Sequence, residues 1–405
     1  MGEIMIKREK YLSKIRGFYN SDLIKVIIGI RRCGKSVLLK QIIDELKNME
    51  IDDSHIIYIN FEDVDYSFIK DYMDLNKFIK ERIVDGEKYY LFFDEIQLVK
   101  EWEKVINSFR ATLNTSIFIT GSNSKLLSGE LATLLSGRYV SFKIFPFTFR
   151  EIVELKNEND KNKLEDIFDD YLLWGGLPQK FEFGEDIDKV KTYLIDVFSS
   201  IVIKDIIKRY NISNVNLFQR IIEYLVTNPS QTFSPTNMLN EFQKEEIPIS
   251  TRTVYECLDY VEASLLMSKI STYDIRGKRI LSRKDKYYLT DLGIGQILNT
   301  NKKIQMGAYL ENIVYNELLY RGYNVSIGNN NGREIDFVAT RFNEKIYIQV
   351  AYILADDSVI EREFGAYKGI DDNYPKYVIT LDKYDMSQNG IIHMNIIDWL
   401  LKEEV

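Results

Sequence analysis

Eight residues near the start of the chain have types and spacing suited to holding phosphate: Gly29-Ile30-Arg31-Arg32-Cys33-Gly34-Lys35-Ser36. They fit G-x-x-x-x-G-K-[ST], in which consecutive backbone N–H groups ring phosphate oxygens. Gly29 and Gly34 let the backbone approach and turn where a Cβ would clash. Lys35 is expected to reach β- and γ-phosphates and Ser36 to ligate Mg²⁺. Arg31 and Arg32 fit two readings, as added phosphate contacts or as residues packed on an acidic surface. The predicted binding stretch is Gly29, Ile30, Arg31, Arg32, Cys33, Gly34, Lys35, Ser36 and Val37, with ATP and Mg²⁺ as the ligands.

A second chemical feature is Tyr89-Tyr90-Leu91-Phe92-Phe93-Asp94-Glu95, five large residues ending in two carboxylates. A central parallel strand is buried on both faces, and ligands of open α/β sheets sit beyond strand C-termini. Asp94 is therefore expected to hold Mg²⁺ through its water shell, and Glu95 to polarise an attacking water. Ser122 and Asn123 end the next apolar run, Ser116–Thr120. They are placed to sense a γ-phosphate or the lytic water, or else Gly121-Ser122-Asn123 only turns the chain. Arg138, in Ser136-Gly137-Arg138-Tyr139-Val140, reads either as a finger toward the γ-phosphate of a neighbouring copy or as a solvated structural arginine.

Positioning these groups requires a strand, loop and helix in order, and the flanks supply them. Leu23–Ile28 is a short β-branched strand, and Val37–Leu46 carries apolar residues at helical spacing. That helix turns its positive dipole end toward the phosphates. Ile56–Phe61 is a further strand, closed by the acidic turn Glu62-Asp63.

The chain has 405 residues, 45% of them hydrophobic and 28% charged, enough for two to four globular domains. A net charge of -8 speaks against a generally basic surface and leaves a local one open. Cys33 and Cys257 are the only cysteines, and Cys33 lies within the phosphate loop, so the usage fits a reducing compartment. His55 and His393 are the only histidines, which excludes a zinc site or a histidine triad. Without a signal-like N-terminus or an apolar run of ~20 residues, a cytoplasmic protein that does not enter the membrane is expected.

Together, Gly29-x-Arg31-Arg32-x-Gly34-Lys35-Ser36, Phe93-Asp94-Glu95-Ile96-Gln97, Ile119-Thr120-Gly121-Ser122-Asn123-Ser124, Ser136-Gly137-Arg138-Tyr139-Val140 and Pro146-Phe147-Thr148-Phe149-Arg150-Glu151 resemble one large prokaryotic group. These are AAA-type P-loop ATPases of bacteria and archaea fused to a C-terminal domain of unknown function. The resemblance covers the whole chain. It implies an AAA-type core over residues 1–150 and a helical lid over 151–213, with the turn Gly175-Gly176-Leu177-Pro178 inside the lid.

Residues 214–295 read as three helices, from Leu217, from Ser234 and from Ser250, followed by strands at 265–270 and 286–290. Three helices and a hairpin make a winged helix, with the third as recognition helix. That helix carries Glu256, Asp259 and Glu262 against Arg252, poor material for phosphate contacts. The hairpin is basic, with Arg276, Lys278, Arg279, Arg283 and Lys284. DNA contact and a structural or protein-contact role both stay open.

Residues 296–405 place Glu311 in a helix, Asp336 in a strand, and Gln349-Val350-Ala351 in the next. This is the layout of the PD-(D/E)XK nuclease fold, in which carboxylates bind Mg²⁺ and a lysine stabilises charge at the scissile phosphate. Here Ala351 stands where the lysine belongs and Gln349 where a metal carboxylate is usual, so the fold is expected without the activity. The expected fold class is α/β: a P-loop NTPase parallel sheet with a helical lid, then a winged-helix module, then a restriction-endonuclease-like α/β domain. The expected function is a Mg²⁺-dependent ATPase that switches its C-terminal modules. The alternative is a DNA-associated ATPase, with a protein partner or a homo-oligomer also open.

Overall fold

The computed structural model describes residues 6–124, 135, 137–158, 160–244, 249–299 and 306–403. Ser136 and the side chains of Arg283 and Lys284 lie outside the described residues. The chain divides into a unit of Met1–Pro146 with Ala263–Leu265, and a unit of Phe147–Glu262 with Leu266–Val405.

In the first unit, α1 (Glu9–Arg16) leads into β1 (Ile24–Gly29), α2 (Lys35–Asn48), β2 (Ile56–Asn60), α3 (Tyr72–Lys80), β3 (Tyr89–Asp94), α4 (Trp102–Thr112), β4 (Thr115–Gly121) and β5 (Tyr139–Ile144). The five strands form one parallel sheet in the order β2-β3-β4-β1-β5. Every residue of β1, β3 and β4 is buried, as expected of a parallel sheet covered on both faces. Phe92 and Phe118 stack across β3 and β4 with ring centres 4.6 Å apart. The register pairs Asn60 with Asp94, Phe93 with Ile119, and Ile28 with Gly121, so the strands end together. Because β4 lies between β1 and β3, its polar end falls between the phosphate loop and the acidic pair.

One residue breaks the apolar pattern. Lys25, fully buried on β1, donates to Ser116 Oγ at 2.7 Å and to the Ser21 carbonyl at 3.1 Å. Its ammonium also lies 4.6 Å from the centre of the Phe118 ring. Burial lowers its pKa to about 7.

The second unit opens with α5 (Phe149–Lys156), α6 (Lys161–Trp174) and α7 (Ile187–Ser200). The last helical run of the lid changes form part-way, because Ile201–Lys208 is a π-helix continuing α7. Then follow α8 (Val215–Thr227), α9 (Pro235–Lys244), α10 (Thr251–Ala263), β6 (Met267–Asp274), β7 (Arg279–Leu289), α11 (Leu292–Leu298), α12 (Met306–Tyr320), β8 (Asn324–Asn330), β9 (Arg333–Arg341), β10 (Glu344–Val350), α13 (Asp357–Gly365), β11 (Lys376–Thr380), β12 (Ile392–Asn395) and α14 (Ile396–Leu401).

The hairpin β6–β7 is longer than the strands expected at 265–270 and 286–290. It is also joined to another sheet: β6 pairs in parallel with β8, Thr272 opposite Ile327. The hairpin and the C-terminal strands form a single mixed sheet, β12-β11-β10-β9-β8-β6-β7. Periodicity identifies strands but does not say which distant strand covers an edge, so this union was not visible in the sequence.

The Gly175-Gly176 turn is held from within the same unit. Asp291 accepts the Gly176 N–H at 2.8 Å and the Gly293 N–H at 3.0 Å. Gly175 has φ +68°, and a Cβ there would lie 2.0 Å from Asp291 Oδ1. Burial raises the Asp291 carboxyl to about 6.

Candidate nucleotide-binding site

The loop between β1 and α2 depends on two unusual backbone positions, Arg32 at φ 67° and Gly34 at φ 100°. Gly29 is needed for a different reason: a Cβ there would stand 2.5 Å from Cys33 Sγ and 2.6 Å from the Ile144 carbonyl. Lys35 opens α2 and is buried. Its Nζ lies 3.2 Å from the Gly29 carbonyl, 3.4 Å from that of Ile30 and 3.5 Å from Glu95 Oε1. Burial opposes both charges, yet Glu95 and Asp94 hold the Lys35 ammonium above its usual range. Glu95 stays below the usual carboxyl range beside Lys35, Gln97 and Arg31, although burial works against it.

The acidic pair is oriented by groups the sequence reading did not single out. Asp94 Oδ2 accepts the Tyr58 hydroxyl at 3.0 Å, and Asp94 Oδ1 accepts the Thr120 hydroxyl. Thr120 Oγ1 in turn accepts the Glu95 N–H at 2.9 Å. Glu95 is held at φ 55°, and its carboxylate accepts from Gln97 Nε2. The phosphate loop, rather than the acids, is braced by the buried Arg8, which donates to the carbonyls of Cys33 at 3.4 Å and Phe145 at 3.0 Å. Gln97 and Thr120 stood inside the quoted motifs. Tyr58 and Arg8 come from a neighbouring strand and the chain start, and only the fold brings them near.

Ser36 and Val37 occupy the first turn of α2 and are partly exposed. Ile30 and Cys33 are fully buried, and burial pushes the Cys33 thiol pKa up. Ser122 and Asn123 are buried just beyond β4. Arg31 pairs with Glu62 at 3.2 Å, on the acidic turn after β2, and Arg32 is exposed. Arg138 is not brought to this chain's loop. It precedes β5, its carbonyl accepts the N–H of Ile24 at the start of β1, and Nη1 donates to Asn107 at 2.9 Å. That is the opposite end of the sheet, roughly 20 Å away at about 3.3 Å per strand residue.

The residues fit a nucleotide and its metal. The loop offers backbone donors at a helix N-terminus with a lysine beside them. The Ser36 hydroxyl and Asp94 carboxylate are the oxygen ligands Mg²⁺ prefers, usually one or two from protein with the rest from phosphate and water. Consistently, no group of three His, Cys, Asp or Glu among the described residues is arranged to hold a metal unaided.

The AAA domain family matches residues 21–153, and a domain of unknown function matches 165–304. An uncharacterized protein of Haemophilus influenzae is 40% identical over 405 residues, covering 99% of this chain and 100% of that protein. The chain belongs to this family of AAA-domain proteins. An uncharacterized protein of Methanocaldococcus jannaschii is 33% identical over 361 residues, 85% of this chain and 78% of its own length. Among solved structures, the Walker-type ATPase of Pyrococcus abyssi is similar at 15% identity and a TM-score of 0.48, covering 73% of this chain and 96% of its own. The AAA domain match, residues 21–153, spans the stretch that carries Lys35, Asp94 and Glu95.

Beyond the AAA domain, the predicted nuclease-like residues also meet in space. Asp336 Oδ2 accepts the Val350 N–H at 2.8 Å, and Gln349 Oε1 accepts the Asp336 N–H at 2.7 Å. Glu311 Oε1 accepts from Lys286 Nζ at 2.9 Å and from the Tyr288 hydroxyl at 2.5 Å. Among the described residues no helix is long and apolar enough to cross a membrane.

Proposed function

We propose that the chain is a Mg²⁺-dependent ATPase whose turnover repositions its C-terminal modules. The observation that supports this most directly is the approach of Lys35 to Glu95, 3.5 Å, with Asp94 on the adjoining position of β3. In this reading the triphosphate lies along the loop N–H groups, and Lys35 leaves the Gly29 and Ile30 carbonyls for β- and γ-phosphate oxygens. Ser36, and Asp94 through the ion's water shell, would hold Mg²⁺, which would neutralise charge on the phosphate oxygens. Glu95 orients the attacking water and takes its proton. Ser122 and Asn123, between the loop and the acids, contact the γ-phosphate or that water.

Nucleotide binding and ATP turnover of Lys35→Ala and Glu95→Gln test this. Lys35→Ala is expected to lose binding, and Glu95→Gln to bind ATP and stall. Hydrolysis by Glu95→Gln at the parental rate overturns the assignment of Glu95.

An ATPase that engages DNA is a second reading, favoured by the exposed basic turn of the β6–β7 hairpin with Arg276, Lys278 and Arg279. Here α8–α10 with that hairpin act as the winged helix, and α12 with β8–β12 as the nuclease-like platform. On α10, Arg252 is engaged by Glu256 at 2.8 Å, which leaves the hairpin as the basic element. ATP turnover with duplex DNA across a salt series separates the readings. Stimulation that fades steeply with salt supports DNA, and none favours a protein partner. The free cysteines Cys33 and Cys257, both buried, suit a reducing cytoplasmic compartment.

A further inference from the structure

The C-terminal cluster contains a cation that its sequence motif does not announce. Lys286 comes from β7 of the hairpin, distant in sequence from Gln349-Val350-Ala351, where the motif calls for a lysine. Its side chain is 6% exposed. Nζ lies 2.9 Å from Glu311 Oε1 and 2.7 Å from Glu334 Oε1. Burial works against the ammonium, yet Glu311, Asp336 and Glu334 outweigh it and hold its pKa above the usual value.

One oxygen of each carboxylate that could serve a metal is already engaged. Glu311 Oε1 also takes the Tyr288 hydroxyl, and Asp336 Oδ2 takes a backbone N–H. The Gln349 side-chain oxygen faces the Asp336 N–H, while its amide donates to Glu363 Oε2 at 2.8 Å. Glu363 Oε1 is held by Arg362 at 2.5 Å. Mg²⁺ requires near-octahedral oxygen ligands at about 2.0–2.1 Å. No described group of three acidic, histidine or cysteine side chains offers this.

A buried carboxylate without compensation is strongly unfavourable, and a lysine ammonium supplies compensation as a fixed charge. We propose that Lys286 is the resident cation of this cluster, standing where a PD-(D/E)XK nuclease carries its divalent metal. The domain is then a metal-free platform, and the ammonium ties the hairpin strand β7 to α12 and β9. The adjoining cleft, about 580 Å³, is lined by Glu334, Asp336, Glu361 and Glu363 with Arg333 and Arg362. The excess of carboxylates opposes entry of a phosphodiester. This inference uses the nuclease-like reading only for the expectation of a metal and is independent of the ATPase reading.

The test uses the full chain without nucleotide, in an Asp94→Asn background that removes the P-loop metal ligand. Free Mn²⁺ is followed by electron paramagnetic resonance, and unfolding by a melting curve. With Lys286 present, no stoichiometric Mn²⁺ binding and no plasmid nicking are expected. Lys286→Met is expected to melt several degrees lower and to regain that loss with added Mn²⁺. Further substitution Glu311→Gln removes the Mn²⁺ response and restores folding if Lys286→Met alone does not fold. Mn²⁺ binding by the Lys286 chain that disappears in Asp336→Asn overturns the proposal, as does nicking lost in Lys286→Ala. A Lys286→Met chain that keeps its melting point and ignores Mn²⁺ overturns it equally.

Discussion

Thr120 Oγ1 accepts the Glu95 N–H at 2.9 Å while its own proton goes to Asp94 Oδ1. One hydroxyl therefore sets the spacing of both acids. It also supports a left-handed Glu95, a conformation that disfavours a residue with a Cβ by roughly 1–2 kcal/mol. Thr120→Val keeps the shape and removes both bonds. Steady-state kinetics are expected to show kcat lower by roughly 10–100-fold, the usual range for groups that orient a ligand, with ATP affinity little changed. Thr120→Ser is expected to recover most of the loss.

Tyr58 acts on Asp94 alone, through a 3.0 Å bond to Oδ2. Tyr58→Phe is expected to raise the Mg²⁺ concentration needed for half-maximal ATP turnover by about tenfold. The rate at saturating Mg²⁺ should stay near parental. A fall in that saturating rate with unchanged Mg²⁺ demand removes Tyr58 from the metal side of the site.

Lys25 makes the first unit sensitive to pH. Its folded pKa, about 7, lies below the ordinary lysine value, so the unfolded chain binds one more proton between pH 7 and about 10. Stability from this group therefore rises with pH across that window, by up to about 1.4 kcal/mol per pH unit. Urea midpoints at pH 7, 8 and 9 should climb in the parent and flatten in Lys25→Met, which is expected to be the more stable at pH 7. Equal slopes would locate the dependence elsewhere.

Gly175 and Gly137 have nearly the same φ, +68° and +70°, in different surroundings. A Cβ at Gly137 meets open space, whereas at Gly175 it meets the buried Asp291 carboxylate. Gly137→Ala is expected to cost only the left-handed conformation, about 1 kcal/mol. Gly175→Ala must also displace Asp291 from the Gly176 and Gly293 amides, so its melting point should fall well below that of Gly137→Ala. Similar losses would show that Asp291 moves freely.

Arg138 stands at the end of the sheet remote from its own phosphate loop, which restricts a finger role to a neighbouring copy. Turnover of Arg138→Ala is expected to match the parent in dilute solution and to lag once the parent self-associates. A deficit that does not vary with protein concentration excludes the finger.

The candidate nucleotide site was legible in the sequence because the residues that would compose it are local. A phosphate loop needs Gly29, Gly34, Lys35 and Ser36 at fixed offsets, and the acids need one strand end, so Asp94 and Glu95 declare themselves by position. The strand pattern also announced a parallel sheet, since burial on both faces demands continuous apolar runs like those of β1, β3 and β4. What required tertiary structure were contacts between residues far apart in the chain. Strand order places Ser122 and Asn123 between loop and acids, brings Tyr58 from β2 to Asp94, and sends Arg138 to the far end of the sheet. In the C-terminal half, the parallel pairing of β6 with β8 merged two expected modules into one sheet. That pairing is a register between distant strands, and it carries Lys286 to Glu311, whereas the motif position on the strand of Gln349 holds only Ala351.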